Sequence, residues 1–396
     1  MIEYLFNLKK KEFLVSIIFF LYYYFLISSI IFGKTARDVF FLSRYNPQFL
    51  PQIFIISSIF VIFSTILFIK IFKKRNIYYF AISSICFFSC SLFIINYYLN
   101  NWLYPFLYVW IDIIAAILIP QFWLLANSQF SSRQAKRLFG PISAAAALSN
   151  ISIGSIIQFG LIPSSLLLPI SSCFLIFSLI IVILNNLINN QVVLKEAQNN
   201  EIELKTKSPL FSLFKNYKYV INIGSIVIVS SVTITLIEYQ FKMLVANTYN
   251  ENQLTSLFGM LYCIVGIVSF IIQFFLLNRF LTKYGILVGL TILPIVLGIS
   301  SIFFVISPIV FFALTARLSD LILRYSINDV TMQLIWMPVS DKIKRIAKPF
   351  IDGAIKNSSQ GVAGLLIICV LSLSNIQLFN FLIIFLLIIW IVVSIS

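Results

Sequence analysis

The chain has no histidine among its 396 residues. That removes histidine-based triads, histidine-ligated metals and the histidine–aspartate acyl-transfer motifs of many membrane enzymes. Charge is scarce, at 10% of residues, and the 13 acidic residues are outnumbered by 28 basic ones. The five cysteines, Cys86, Cys90, Cys173, Cys263 and Cys369, all lie in apolar runs. Cys86 and Cys90 are one helical turn apart, a poor geometry for a disulfide, so all five read as small packing residues. No metal or nucleophile motif stands out. The expectation is therefore a protein that is not an enzyme and needs no metal or cofactor. A cleavable leader is not expected either. The basic start, Lys9 to Lys11, precedes an apolar stretch that is too long and lacks a small-residue cleavage site.

Hydrophobic sequence is what the chain has in abundance, at 60% of residues. Apolar runs of about 20 residues recur from end to end, each long enough to cross a bilayer core of roughly 30 Å. The runs are continuous and do not alternate, which excludes a β-barrel. The fold class is an all-α polytopic membrane protein. Twelve spans are read at 13–32, 50–72, 77–99, 102–126, 139–161, 163–190, 219–240, 254–278, 284–306, 309–334, 350–373 and 376–396.

The net charge of +15 is distributed by topology. Lys9 to Lys11 precede the first span, and Lys70, Lys73, Lys74 and Arg75 follow the second. Arg133, Lys136 and Arg137 follow the fourth; Lys195, Lys205, Lys207, Lys215 and Lys218 follow the sixth. Arg279 and Lys283 follow the eighth, and Lys342, Lys344, Arg345 and Lys348 follow the tenth. These connections all fall on one side. The other side holds Lys34, Arg37, Arg44 and Lys242. The positive-inside rule then places both termini in the cytoplasm, as in a bacterial inner membrane. With no soluble basic domain, nucleic acid is not an expected partner. Lipid is.

One stretch, 189–218, is polar, charged and proline-interrupted, and reads as a linker between an N-terminal half (1–188) and a C-terminal half (219–396). The halves resemble each other. Trp123, Ala135–Lys136 and Phe139 of the first are matched by Trp336, Ala347–Lys348 and Phe350 of the second, at a nearly constant offset. Each match is followed by a run of small residues, Ser143 to Ser155 and Gly353 to Gly364, suited to close helix contact in lipid. Two six-span halves in the same orientation are parallel repeats, the architecture of major facilitator transporters.

Charged residues at membrane depth are expensive and face a partner or a water-filled cavity. Arg317, Asp320 and Arg324 fall on one face of the tenth span, and Asn328 joins them one turn on. A planar guanidinium fork suits phosphate and carboxylate, so this group is a candidate for an anionic solute, or an internal network that locks helices. Lys34, Arg37 and Asp38 cluster near the outer end of the first span, as an interfacial anchor or a solute contact. Glu238 and Lys242 form an i,i+4 pair at the outer end of the seventh. Asp112 is the lone charge of the fourth span, a protonation site or a hydrogen-bonded structural group. Gln121 and Asn127 flank Trp123 as candidate cavity residues, and Asp352 with Lys356 is a further i,i+4 pair near the cytoplasmic mouth.

The stretches GKTARDVFFLSRY, FWLLANSQFSSRQAKRLFGPIS, IEYQFK with LFGMLY, and RLSDLILRYSIND with RIAKPFIDG together resemble the bacterial and plastid ATP/ADP translocase family, and within it the shorter, divergent bacterial members. The resemblance implies a major-facilitator-type scaffold working by alternating access and exchanging nucleotides or a related organic anion. It also implies that membrane-embedded Lys and Glu residues handle the phosphates. Carried over by motif, these are Lys34, Arg37, Asp38, Glu238, Lys242, Arg317, Asp320 and Arg324. A proton-coupled carrier of another solute, with Asp112 or Asp320 titrating, and a non-transporting scaffold or sensor are the alternatives. A monomer is expected.

Overall fold

The structure is a computed structural model. It describes residues 10–72, 76–100, 102–130, 132–189, 218–339, 343, 347–348, 350–372 and 376–395. Most of the linker 189–218 and several of the basic connections, among them Lys9, Lys73 to Arg75, Lys342, Lys344 and Arg345, lie outside the described residues.

Among the described residues the long elements are all helices, as a chain this apolar requires. In hydrocarbon a backbone must satisfy its own hydrogen bonds, and a helix does so within one segment. We number them α1 (Lys10–Arg44), α2 (Leu50–Phe72), α3 (Ile77–Tyr97), α4 (Leu103–Gln129), α5 (Ser132–Gln158), α6 (Leu167–Asn189), α7 (Lys218–Thr248), α8 (Glu251–Ile271), α9 (Leu277–Ile306), α10 (Val310–Leu323), α11 (Lys356–Ser372) and α12 (Ile376–Ile395). Eleven are long and apolar enough by themselves to cross a membrane. The tenth is the exception. It is short, at 14 residues, and it continues through a π turn, Arg324–Asn328, into helical residues Asp329–Ile335.

Local sequence sets the ends. Asn76 caps α3 by accepting from the Tyr78 amide at 3.0 Å, and Asn250 with Gln253 forms a capping box on α8. Gly160, at φ +66°, ends α5, and Gly285, at φ +80°, breaks the start of α9. Two further π turns, Ile272–Leu276 and Phe350–Ile355, extend α8 and precede α11.

The chain forms two compact units. The first takes Met1–Asp38, Ser64–Lys207 and Thr255–Gly266; the second takes Val39–Phe63, Ser208–Leu254 and Ile267–Ser396. In the first, serines bind α1 to its neighbours: Tyr24 to Ser152 at 2.8 Å, Ser28 to Ser149 at 2.9 Å, and Ser29 to the Ser171 carbonyl at 2.7 Å. Small residues admit close backbone approach. A Cβ on Gly154 would run into the backbone of Cys263 and Gly259, and one on Gly259 into that of Gln158 and Gly154. In the second unit Gly361 meets Ser58, and Gly364 meets Pro51 and Ile55. Thus the small-residue runs of α5 and α11 press against α8 and α2 respectively.

The cysteines correct the sequence reading. Cys86, Cys90, Cys173 and Cys369 are exposed, and Cys263 alone packs, 3.2 Å from Ser155 Oγ. A membrane protein is as apolar outside as inside, so an apolar context does not separate a packing face from a lipid face.

Candidate functional site

Among the described residues, each unit contains a largely buried group of charges. In the first unit α1 supplies Arg37, which is buried and clasped from two sides. It is ion-paired to Asp112 of α4, and its Nε lies 3.4 Å from Asp38. Its guanidinium sits 4.2 Å above the ring of Tyr108, one turn before Asp112 on α4. Asp112 is therefore not an isolated carboxylate. The arginine beside it supplies the countercharge that burial demands. Lys34, one turn before Arg37 and Asp38, is half-buried and makes no ion pair among the described residues.

In the second unit the charges form a continuous chain. Lys242 Nζ lies 2.7 Å from Glu238 Oε1 on α7. Glu238 Oε2 is held at 3.0 Å by Arg317 of α10. Arg317 reaches Asp320 Oδ2 at 2.9 Å, and Arg324 pairs with the same oxygen. The order is Lys242, Glu238, Arg317, Asp320, Arg324, three cations alternating with two carboxylates and leaving one net positive charge. Lys242 and Asp320 are almost fully buried, with 1% and 0% of the side chain exposed. Glu238, Arg317 and Arg324 keep 19%, 12% and 18%. Those three are the members of the chain with appreciable exposed surface.

This arrangement joins residues that the sequence read as separate. Glu238 and Lys242 read as a local pair at the outer end of their span. Instead they continue the α10 group, because α7 packs against α10 and brings Glu238 within reach of Arg317. Two spacings coincide: the interval from Lys34 to Lys242 equals that from Asp112 to Asp320. In each unit a charge on the first or seventh helix is joined to its opposite on the fourth or tenth.

Four expected cavity residues stand apart. Asn328 is buried, but its side-chain oxygen has no partner, and it does not join the charges. The π turn from Arg324 to Asn328 inserts an extra residue, which rotates the succeeding residues by about 100° and breaks the face read from a regular helix. Gln121 is wholly buried and accepts from Ser84 Oγ at 2.9 Å, whereas Asn127 is exposed. Lys356 is exposed, and no ion pair links it to Asp352, which lies in the π turn before α11. Tyr108 carries no charge and does not stand out in a sequence this aromatic. Its spacing to Asp112, one turn on the same helix, is the signal that points to it.

The sequence pattern of the TLC ATP/ADP transporter family matches residues 16–323, which include every charge of both groups except Arg324. The chain belongs to this family. It is similar to ADP,ATP carrier protein 3 of Rickettsia felis, 22% identical over 302 residues, which are 64% of this chain and 60% of the relative. ADP,ATP carrier protein 2 of Chlamydia trachomatis is 23% identical over 305 residues, 64% of this chain and 56% of the relative. The chain thus matches less than two thirds of the length of these curated relatives. Among solved structures, the nucleoside transporter NupG aligns over 98% of both chains with a TM-score of 0.64 and 13% identity. The POT family transporter PepTSo aligns over 96% of both with 0.66 and 11%. At such identities the likeness is one of fold, and the fold of this TLC family member is of the major facilitator type.

Proposed function

We propose that this protein is a secondary transporter that exchanges nucleotides, or closely related organic anions, by alternating access. The observation that carries this reading is the buried chain from Lys242 to Arg324, with its surplus of positive charge and three partly open members. A polyphosphate cannot cross hydrocarbon with its charge uncompensated. Arg317 and Arg324 offer forks that match phosphate oxygens, and both are held by carboxylates, Glu238 and Asp320, that a phosphate could displace. The family relatives, named as ADP and ATP carriers, supply the substrate class.

In this reading residues 1–188 and 219–396 are the two moving halves, joined by 189–218. Both termini face the cytoplasm of a bacterial inner membrane, and the carrier works as a monomer. Asp112 and Asp320, the carboxylates on which the proton-coupled alternative would rest, are each engaged by an arginine. Titration of purified protein with ATP tests the assignment. Binding is expected that weakens steeply with added salt and is lost in Arg317→Ala. Equal binding by the wild type and Arg317→Ala would place the substrate elsewhere.

A further inference from the structure

Two side chains, Ser269 of the eighth helix and Gln273 of the π turn that extends it, hold the stretch of backbone that carries Arg324. Ser269 Oγ donates to the Ile322 carbonyl at 3.5 Å, and Gln273 Nε2 donates to the Tyr325 carbonyl at 2.8 Å. Ser269 and Gln273 are one turn apart, and the carbonyls they take lie on either side of Arg324. Both partners of the shorter bond lie in π turns, Ile272–Leu276 and Arg324–Asn328. A π turn is rare and is frequently found at functional sites. The position of Arg324 depends on that turn. Its pairing to Asp320 uses one terminal nitrogen, its Nε has no partner, and its guanidinium carbon lies 5.6 Å from the Tyr325 ring.

We infer that Gln273, assisted by Ser269, is a positioning residue. It fixes the π turn and so sets where the Arg324 guanidinium meets an arriving phosphate. The inference rests on the nucleotide reading of the charge chain, and it adds to that site a residue from outside α7 and α10. Gln273 is exposed, and its bond is to the backbone of Tyr325, so it acts on Arg324 through the main chain.

The test pairs Gln273→Met, which keeps the length and loses the donor, with the milder Ser269→Ala. Two readouts are needed. The first is hydrogen exchange of the amides from Arg324 to Asn328, which needs no substrate. Gln273→Met should speed it about fivefold or more, as loss of one hydrogen bond implies, with other helices unchanged. The second is ATP exchange in proteoliposomes, where KM should rise by a similar factor while the maximal rate stays near that of the wild type. Unchanged amide exchange in Gln273→Met would overturn the clamp. Faster amide exchange with an unaltered KM, or a fall in maximal rate alone, would overturn the positioning role. A wild type that exchanges no nucleotide would refute the nucleotide reading instead, and the clamp would still be judged by the amides.

Discussion

Asp320 has no exposed surface and holds two arginines on one oxygen. Asp320→Ala would leave Arg324 without a carboxylate and Arg317 with Glu238 alone, and breaking a buried pair in this way costs about 3–5 kcal/mol. A large drop in the thermal unfolding midpoint is expected. Arg317→Ala should behave differently. Although Arg317 is the centre of the chain, its removal leaves Lys242 with Glu238 and Arg324 with Asp320 as complete pairs. That variant should fold close to normally and fail to exchange, as thermal unfolding and transport measured on the same preparation would show. At Arg37, a double-mutant cycle with Asp112 should return a coupling of about 1–2 kcal/mol in stability, since the two are in direct contact across α1 and α4. The charged residues themselves are legible in the sequence, because any ionised group in an apolar run stands out. Partners on the same helix are legible too, as with Glu238 and Lys242 or Asp320 and its two arginines, but partners on other helices are not. Arg37 and Asp112 sit on different helices, as do Glu238 and Arg317, and which faces meet depends on helix rotation and packing that spacing along one helix cannot give.

At the scale of elements, the contact of α5 with α8 depends on glycine. Gly259→Ala would place a methyl against the backbone of Gln158 and Gly154, where nothing flexible can yield, so a clear loss of thermal stability is expected. Gly298→Ala on α9 is the matched control, since nothing lies near that position, and it should be neutral. Ala is the better helix former, so propensity would favour both substitutions, and an equal loss in the two would mean that close approach at Gly259 does not decide. Helix existence is readable from hydrophobic length, and the small-residue runs mark α5 and α11 as tightly packed. The π turns are not readable. An inserted residue leaves composition and hydrophobicity unchanged, so the face drawn through Arg317, Asp320, Arg324 and Asn328 holds for its first three members and fails at the fourth. The same blindness to what lies outside a helix misplaces the four exposed cysteines and treats Gln121 and Asn127 alike.

For the whole molecule, the question is what happens to the surplus charge of the α7–α10 chain when a polyanion enters. In the proposed exchange, a nucleotide brings more negative charge than the chain's net single positive charge can cancel. Glu238 and Asp320 then release their arginines. In the first unit, Lys34 of α1 is half-buried and makes no ion pair among the described residues. The family resemblance implies that Lys34 handles phosphate, so Lys34→Gln is expected to weaken ATP exchange several-fold while leaving the unfolding midpoint near that of the wild type, because no pair is broken. An equal fall in stability and exchange would make Lys34 structural. The most direct measurement is uptake of labelled ATP by proteoliposomes containing the purified protein, with and without ADP inside. Uptake that requires internal ADP and disappears in Arg317→Ala is the expected result. Folded protein that takes up no ATP in either condition, or that takes it up equally through Arg317→Ala, would contradict the account.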